Sequence, residues 1–294
     1  MLLKISTYKL EYYLLVVIQK LISVLPRRLT LMLGSSAGVL LAIFKPFKKT
    51  IYGNLRYCEY WNDRQIDIIV PNLYKMMGRY ISDFLRTGDT KIPYRVHDYD
   101  KFQNALDEKN GVVVILAHIG NWEILAQIYG KTVDGLNVIA KPMKNQYVDK
   151  WLADKRGSTG VTTIYAQQAL RKMMDVLGKQ KGVVAILIDQ HAGVHGTMIP
   201  FLGKEANTVR TVAGIVKKTN CAVVPTYSIM QPDGSYDIYI DRIQNPDITG
   251  LTDDQAIEML QKQHNDIISQ WIRNYPEHYF GWFHKRYRNI ISYN

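Results

Sequence analysis

The sequence predicts an α/β fold, a mixed and mostly parallel sheet flanked by helices, entered through an N-terminal membrane-binding helical segment. Three observations carry this reading. After Gly88, apolar runs of strand length recur at Val112–Ala117, Val138–Ala140, Val183–Ile188, Ala222–Ile229 and Asp237–Ile240. Runs polar on neither face suit strands covered on both sides. Helical patterns fall between them, near Trp122–Tyr129, Tyr147–Arg156, Gln167–Leu177 and Val209–Lys218, and such alternation favours a parallel sheet with helices on its faces. Ahead of all this stand two long apolar stretches.

Those stretches are Tyr12–Leu25, interrupted only by Lys20, and Leu29–Phe44, which carries no charge. A helix of 16 residues reaches roughly 24 Å, short of the roughly 30 Å of a bilayer core. A single tilted span with a snorkelling Lys20, a hairpin in one leaflet, and a pair of buried core helices all stay open. Arg27, Arg28, Lys45, Lys48, Lys49 and Arg56 flank the stretches. Each such cation is attracted to anionic lipid by about 1 kcal/mol near the surface, and the bias places the rest of the chain on the cytoplasmic side. No small-residue site marks a cleaved secretory signal. Gly34-Ser-Ser-Ala-Gly38 matches both a GxSxG nucleophile elbow, with Ser36 as nucleophile, and a GxxxG helix-packing face. Its place inside a continuous apolar run favours packing.

Further along, Asn62 or Asp63 can cap a helix that carries Ile66, Ile69, Val70, Leu73, Met77, Tyr80, Ile81 and Phe84 at helical spacing. A last long helix starts at Thr252, whose TDDQ reads as a capping box. The organisation expected is residues 1–50 as membrane anchor or interfacial helices and 51–294 as one catalytic domain. Cys58 and Cys221 are far apart and outside any CxxC, which disfavours a disulfide framework and fits a reducing compartment. The net charge of +11 suits nucleic acid, an anionic membrane or an anionic substrate. Without a zinc-finger, RNP or basic-zipper pattern, nucleic acid is not expected, and the N-terminus favours membrane.

The chemistry concentrates in one place. An apolar strand runs into His118, a turn through Gly120, and a helix start at Trp122-Glu123. Strand carboxyl ends of α/β sheets are where sites form. A loop through Gly120 can return the Glu123 carboxylate to the His118 imidazole, leaving the other ring nitrogen to accept a proton from a hydroxyl. Backbone N–H groups at the helix start could then face a developing oxyanion. Asp189, His191 and His195 follow another strand and can be imagined as metal ligands. The better use of Asp189-Gln190 is to shape the same crevice.

These segments resemble the lipid A late acyltransferases, the lauroyl/myristoyl-transferase type within the lysophospholipid acyltransferase group, over nearly the whole chain. His118-Ile-Gly-Asn121-Trp-Glu123 matches the HxGNWE form of that branch. Lys141-Pro-Met-Lys-Asn145 is similar to its RPxKN segment, with Lys in place of Arg, which removes a bidentate fork. Asp189-Gln190, Pro200-Phe-Leu-Gly203, Asn207-Thr-Val-Arg210 and Val223-Val-Pro225 are similar to later segments. The tail resembles PExY…WxHxR through Pro276, Glu277, Tyr279, Trp282, His284 and Arg286, with Gly281 as an extra residue. His191 stands where the family often has an acid.

The resemblance implies a lysophospholipid acyltransferase-like fold and an inner-membrane enzyme facing the cytoplasm. It would move a fatty-acyl chain from acyl carrier protein to a hydroxyl of a lipid A precursor, without metal or organic cofactor. His118 would be the base and Glu123 its orienting partner. Asn121, Lys141, Asn145, Asp189, Gln190 and Arg210 would contact substrate, the Lys141 segment through phosphate or pantetheine. Two alternatives remain: the same chemistry on an aminolipid, glycophospholipid or lysophospholipid, and a non-catalytic basic protein that binds anionic membrane surfaces.

Overall fold

The computed structural model describes residues 2–86 and 92–293. The change of texture expected at Gly88 lies outside the described residues. Four helices come first: α1 (Leu2–Val24), α2 (Arg27–Phe44), α3 (Lys48–Cys58) and α4 (Asp63–Arg86). Pro26 separates the first two, since the residue before a proline is driven away from helical torsions. Of the two caps considered for α4, Asn62 is used: its side chain accepts from the Gln65 N–H while Gln65 Oε1 accepts from the Asn62 N–H, each at 2.9 Å. The boundary expected at residue 50 falls inside α3.

Helix α2 lies along α4 at backbone contact. A Cβ on Gly34 would collide with the Gly78 carbonyl, one on Gly38 with the Tyr74 carbonyl, and one on Gly78 with the Gly34 carbonyl. The packing reading of the Gly34–Gly38 motif therefore holds. The nucleophile reading of Ser36 fails, because Ser36 sits mid-helix with no strand before it. Outward, α1 and α2 expose Leu14, Val17, Leu21, Met32, Leu33, Val39, Leu40 and Ile43.

The chain then alternates: β1 (Tyr94–His97), α5 (Tyr99–Asp107), β2 (Val112–Leu116), α6 (Trp122–Thr132), β3 (Asn137–Ala140), α7 (Gln146–Gly157), β4 (Thr162–Tyr165), α8 (Ala169–Met173, continued as a π-helical turn through Lys179) and β5 (Val183–Leu187). A hairpin, β6 (Thr197–Phe201) and β7 (Lys204–Thr208), precedes α9 (Thr211–Thr219), β8 (Ala222–Met230), β9 (Tyr236–Ile240) and α10 (Asp253–Asn274). Thr252 caps α10 with the expected box to Gln255. One seven-stranded sheet runs β1-β9-β8-β2-β5-β3-β4, and only the β8–β9 pairing is antiparallel.

The central strands are apolar throughout because both faces are covered. In β2, Val113 and Ile115 join the layer of α4, α9 and α10, while Val112, Val114 and Leu116 join the layer of α5 and α6. The sequence reading missed α3, β1, α5, β4 and the β6–β7 hairpin. These are short segments without a long apolar period. The hairpin turns on Leu202 and Gly203, both at positive φ, the geometry of a tight two-residue turn.

Candidate active site

Strands β2 and β5 are parallel neighbours, with Leu116 opposite Leu187. Two residues beyond that pair come His118 and Asp189, so the sheet itself sets them side by side. His118 Nδ1 lies 2.8 Å from Asp189 Oδ1, and the His118 backbone N–H donates to Asp189 Oδ2 at 3.0 Å. Asp189 is buried, and burial alone would raise its pKa. The His118 charge and the donors around it outweigh that and hold it below the ordinary carboxylate range. An ionised Asp189 accepts a hydrogen bond from the ring Nδ1–H, which leaves Nε2 with its lone pair. The Gln190 amide sits 3.2 Å from that Nε2. The ring is edge-on to Trp122, with centroids 4.8 Å apart.

Glu123, expected from spacing to meet His118, bonds elsewhere. It is gripped by Arg156, whose Nε donates to Glu123 Oε2 at 3.0 Å and whose Nη2 donates to Oε1. The reason is directional. Glu123 sits one residue into α6, whose start faces α7, and Arg156 meets it from α7 as a fork. Asp189 already fills the Nδ1 side of His118. Lys155, next to Arg156, donates through Nζ to the Phe84 carbonyl at 2.6 Å and lies over the rings of Phe84 and Trp151. Burial there pulls its pKa down to about 8.

His118 Nε2 opens onto a cleft of about 500 Å³. Its polar wall carries Glu123, Lys141, Arg156 and Tyr165, and its floor is made of Ile139, Ala166, Ala169 and Ile186. Asp149, Leu152, Ala153 and Arg156 face it from α7. Their spacing of three, one and three is that of one helical face, a signal present in the sequence but not used. The Tyr165 hydroxyl donates to Asp149 at 2.7 Å. A histidine, the cations Lys141 and Arg156, the carboxylates Glu123 and Asp149, and apolar side chains thus share one cleft. Compared with known protein families, residues 2–289 match the family model described as bacterial lipid A biosynthesis acyltransferase. The chain belongs to that family. No curated protein matches it. The non-catalytic alternative thus gives way to an acyltransferase with an acyl donor and a lipid acceptor.

The structure distributes the other expected contact residues unevenly. Lys141 and Gln190 line the cleft, and Asp189 lies behind His118, bonded to its ring. Asn121 is buried and spent on structure: Oδ1 caps α6 through the Ile124 N–H, and Nδ2 donates to Tyr80 O and Tyr236 Oη, each at 3.2 Å. Asn145 likewise caps α7 through the Tyr147 and Val148 N–H groups, and its Nδ2 donates to Tyr8 O at 2.9 Å and Glu11 Oε2 at 2.8 Å on α1. Both asparagines precede a helix, where an amide oxygen is drawn to the free N–H groups of the first turn. Arg210 precedes α9 and points to Asp254 and Thr197, although its neighbours Val209 and Thr211 line the cleft.

Of the backbone donors imagined for an oxyanion, Gly120 N–H is taken by His278 O, Asn121 N–H by Ser228 Oγ and Ile124 N–H by the Asn121 cap. The metal trio does not assemble: Asp189 serves His118, His191 Nδ1 accepts from the Gly193 N–H at 2.9 Å, and among the described residues no three such ligands come together.

Proposed function

We propose that the acyltransferase moves a fatty-acyl chain from acyl carrier protein to a hydroxyl of a lipid A precursor, with His118 as general base held by Asp189. The observation that supports this most is the His118–Asp189 pair beside a cleft lined by apolar side chains and by both cations and carboxylates. The acceptor hydroxyl gives its proton to His118 Nε2 as its oxygen attacks the thioester carbonyl. Asp189 stabilises the imidazolium so formed. On collapse the C–S bond breaks, and His118 returns the proton to the departing thiolate. The products are an ester and a thiol, with no covalent enzyme intermediate. Lys141 and Arg156 are the cations available for phosphate, pantetheine or the developing oxyanion. In this reading Glu123 fixes the Arg156 fork in place and does not orient the base.

The exposed apolar faces of α1 and α2, bordered by Arg28, Lys45, Lys48 and Lys49, support attachment to the cytoplasmic face of the inner membrane. Helix α2 has 18 residues, about a fifth of them buried by packing on α4. Most of its surface is thus free for lipid, and its packing along α4 supports a helix held against the membrane together with the rest of the chain.

The test uses the full chain in membranes with labelled acyl-acyl carrier protein and a lipid A precursor. Label is expected on the disaccharide lipid, and His118→Ala should lose transfer while folding and membrane attachment persist. Unchanged transfer by His118→Ala removes it as the base. Label only on lipids without a disaccharide removes the lipid A acceptor.

A further inference from the structure

We propose that Gln190 guards the proton-accepting nitrogen of His118: its amide closes that nitrogen to a lone water and yields it to the acceptor hydroxyl, which makes Gln190 a positioning residue that selects transfer over hydrolysis. The proposal rests on the reading of His118 as base.

Gln190 Nε2 lies 3.2 Å from His118 Nε2. With Asp189 accepting the Nδ1–H, the second ring nitrogen holds a lone pair, so the amide N–H is the donor in this contact. The same lone pair must take the proton of the acceptor. At rest, then, the base is occupied by a side chain of the protein itself. The backbone on either side of Gln190 is tied down. Before it, the Ile188 N–H donates to Leu116 O at 3.1 Å, and Asp189 Oδ2 accepts from the His118 N–H at 3.0 Å. After it, the His191 N–H donates to His284 Nε2 at 3.4 Å. The segment is thus held to the end of β2 and to the tail, and it presents the Gln190 side chain to the ring. The side chain is held only once: among the described residues, the contact with His118 is its one hydrogen bond. A fixed backbone and a singly held amide make a latch that opens without disturbing the loop.

The use of a guard follows from exposure. The His118 side chain is 21% exposed and faces a cleft of about 500 Å³, a space that admits water. A water seated at Nε2 would give a proton to the ring as its oxygen attacked the thioester carbonyl. The C–S bond would break, His118 would return that proton to the thiolate, and the products would be a fatty acid and a thiol. The acyl donor would be consumed with no acceptor acylated. One neutral hydrogen bond favours its partner by a factor of about ten. That disfavours a single water, which makes no better bond and has no other hold on the site. It does not resist the acceptor, whose contacts elsewhere in the cleft, with Lys141 and Arg156 as its cations, supply the difference.

The test follows both fates of the label, with the full chain in membranes, labelled acyl-acyl carrier protein and a lipid A precursor. In Gln190→Met, similar in length and without a donor, the ratio of free fatty acid to acylated lipid is expected to rise about tenfold, the scale of the one bond removed. Gln190→Ala should raise it as well, so the test stands if one variant folds poorly. Both routes draw on the same base, so a change in the amount of active base cancels in the ratio. The NMR resonance of His118 Nε2 in ring-labelled protein, read without acyl donor, should move in both variants, because a donor on the lone pair sets its position. A role confined to packing would lower the unfolding midpoint and leave the ratio and the resonance where they are. An unmoved ratio in a folded variant overturns the proposal, and so does an unmoved Nε2 resonance. Loss of transfer in His118→Ala with an unmoved ratio in Gln190→Met removes the guard and keeps the base. Transfer that survives His118→Ala removes the base, and the guard with it.

Discussion

His118 and Asp189 share two hydrogen bonds, one to each carboxylate oxygen, from Nδ1 at 2.8 Å and from the backbone N–H at 3.0 Å. The pair therefore fixes both the ring and the loop that carries it. Asp189→Asn keeps the shape but removes the charge that stabilises an imidazolium, and its amide can favour the wrong tautomer. Acyl transfer should fall by about 10²–10⁴-fold, the worth of a positioned base, with unfolding in urea nearly unchanged. A wild-type rate in a folded Asp189→Asn protein would contradict the assignment.

The Glu123–Arg156 pair is largely enclosed, with side chains 13% and 12% exposed. Arg156→Ala strands the carboxylate and should cost about 3–5 kcal/mol of stability. Adding Glu123→Ala should recover part of that loss. Urea denaturation of the two single variants and the double variant reads the coupling directly. Fully additive losses would mean that the fork contributes nothing as a pair.

Gly78→Ala puts a methyl group where the Gly34 carbonyl lies. Overpacking of this kind costs about 1–3 kcal/mol. The thermal midpoint should fall, while His118 chemistry, on the far side of α4, keeps its pH profile. Equal stability of the variant and the parent protein would show that α2 and α4 can separate freely.

His264 is buried in α10, and burial pulls its pKa from 6.5 down to about 4. Between those values the unfolded chain binds the proton and the folded chain does not. Stability from this group is therefore full above pH 6.5 and is lost as pH falls toward 4, at up to about 1.4 kcal/mol per pH unit. His278, also held neutral by burial at about 4, adds a parallel loss. Urea midpoints measured from pH 7 to 4.5 should fall, and His264→Gln should flatten the slope. An unchanged slope would place the acid sensitivity elsewhere.

The parts of the fold that a period can announce were readable in the residues. The buried strands β2, β5 and β8 are continuous apolar runs, and α4 and α10 carry both caps and stripes. Segments β1 and β4 are four residues each, too short for a period, and owe their strand form to pairing with β9 and β3. Within the site, His118 was legible because it ends an apolar strand. The carboxylate bonded to it was legible only as a neighbour in the same crevice, since Asp189 is 71 residues away and meets the ring through sheet order. Asn121 and Asn145 looked like contact residues because a cap and a ligand-binding amide share the same residue type. Only the direction of the amide oxygen separates the two uses.

Asn145 has a practical consequence. Its oxygen starts α7, its amide nitrogen ties α7 to α1, and the inner face of α7 carries Arg156 into the cleft. Shortening the protein to make it easier to purify, by removing its first helix, would strip Asn145 of both acceptors and also take Gln19 from Trp151, whose Nε1 it accepts at 3.0 Å. A trimmed enzyme that is soluble and inactive would then report a damaged wall, and its silence should not be taken as proof that the reaction needs a bilayer.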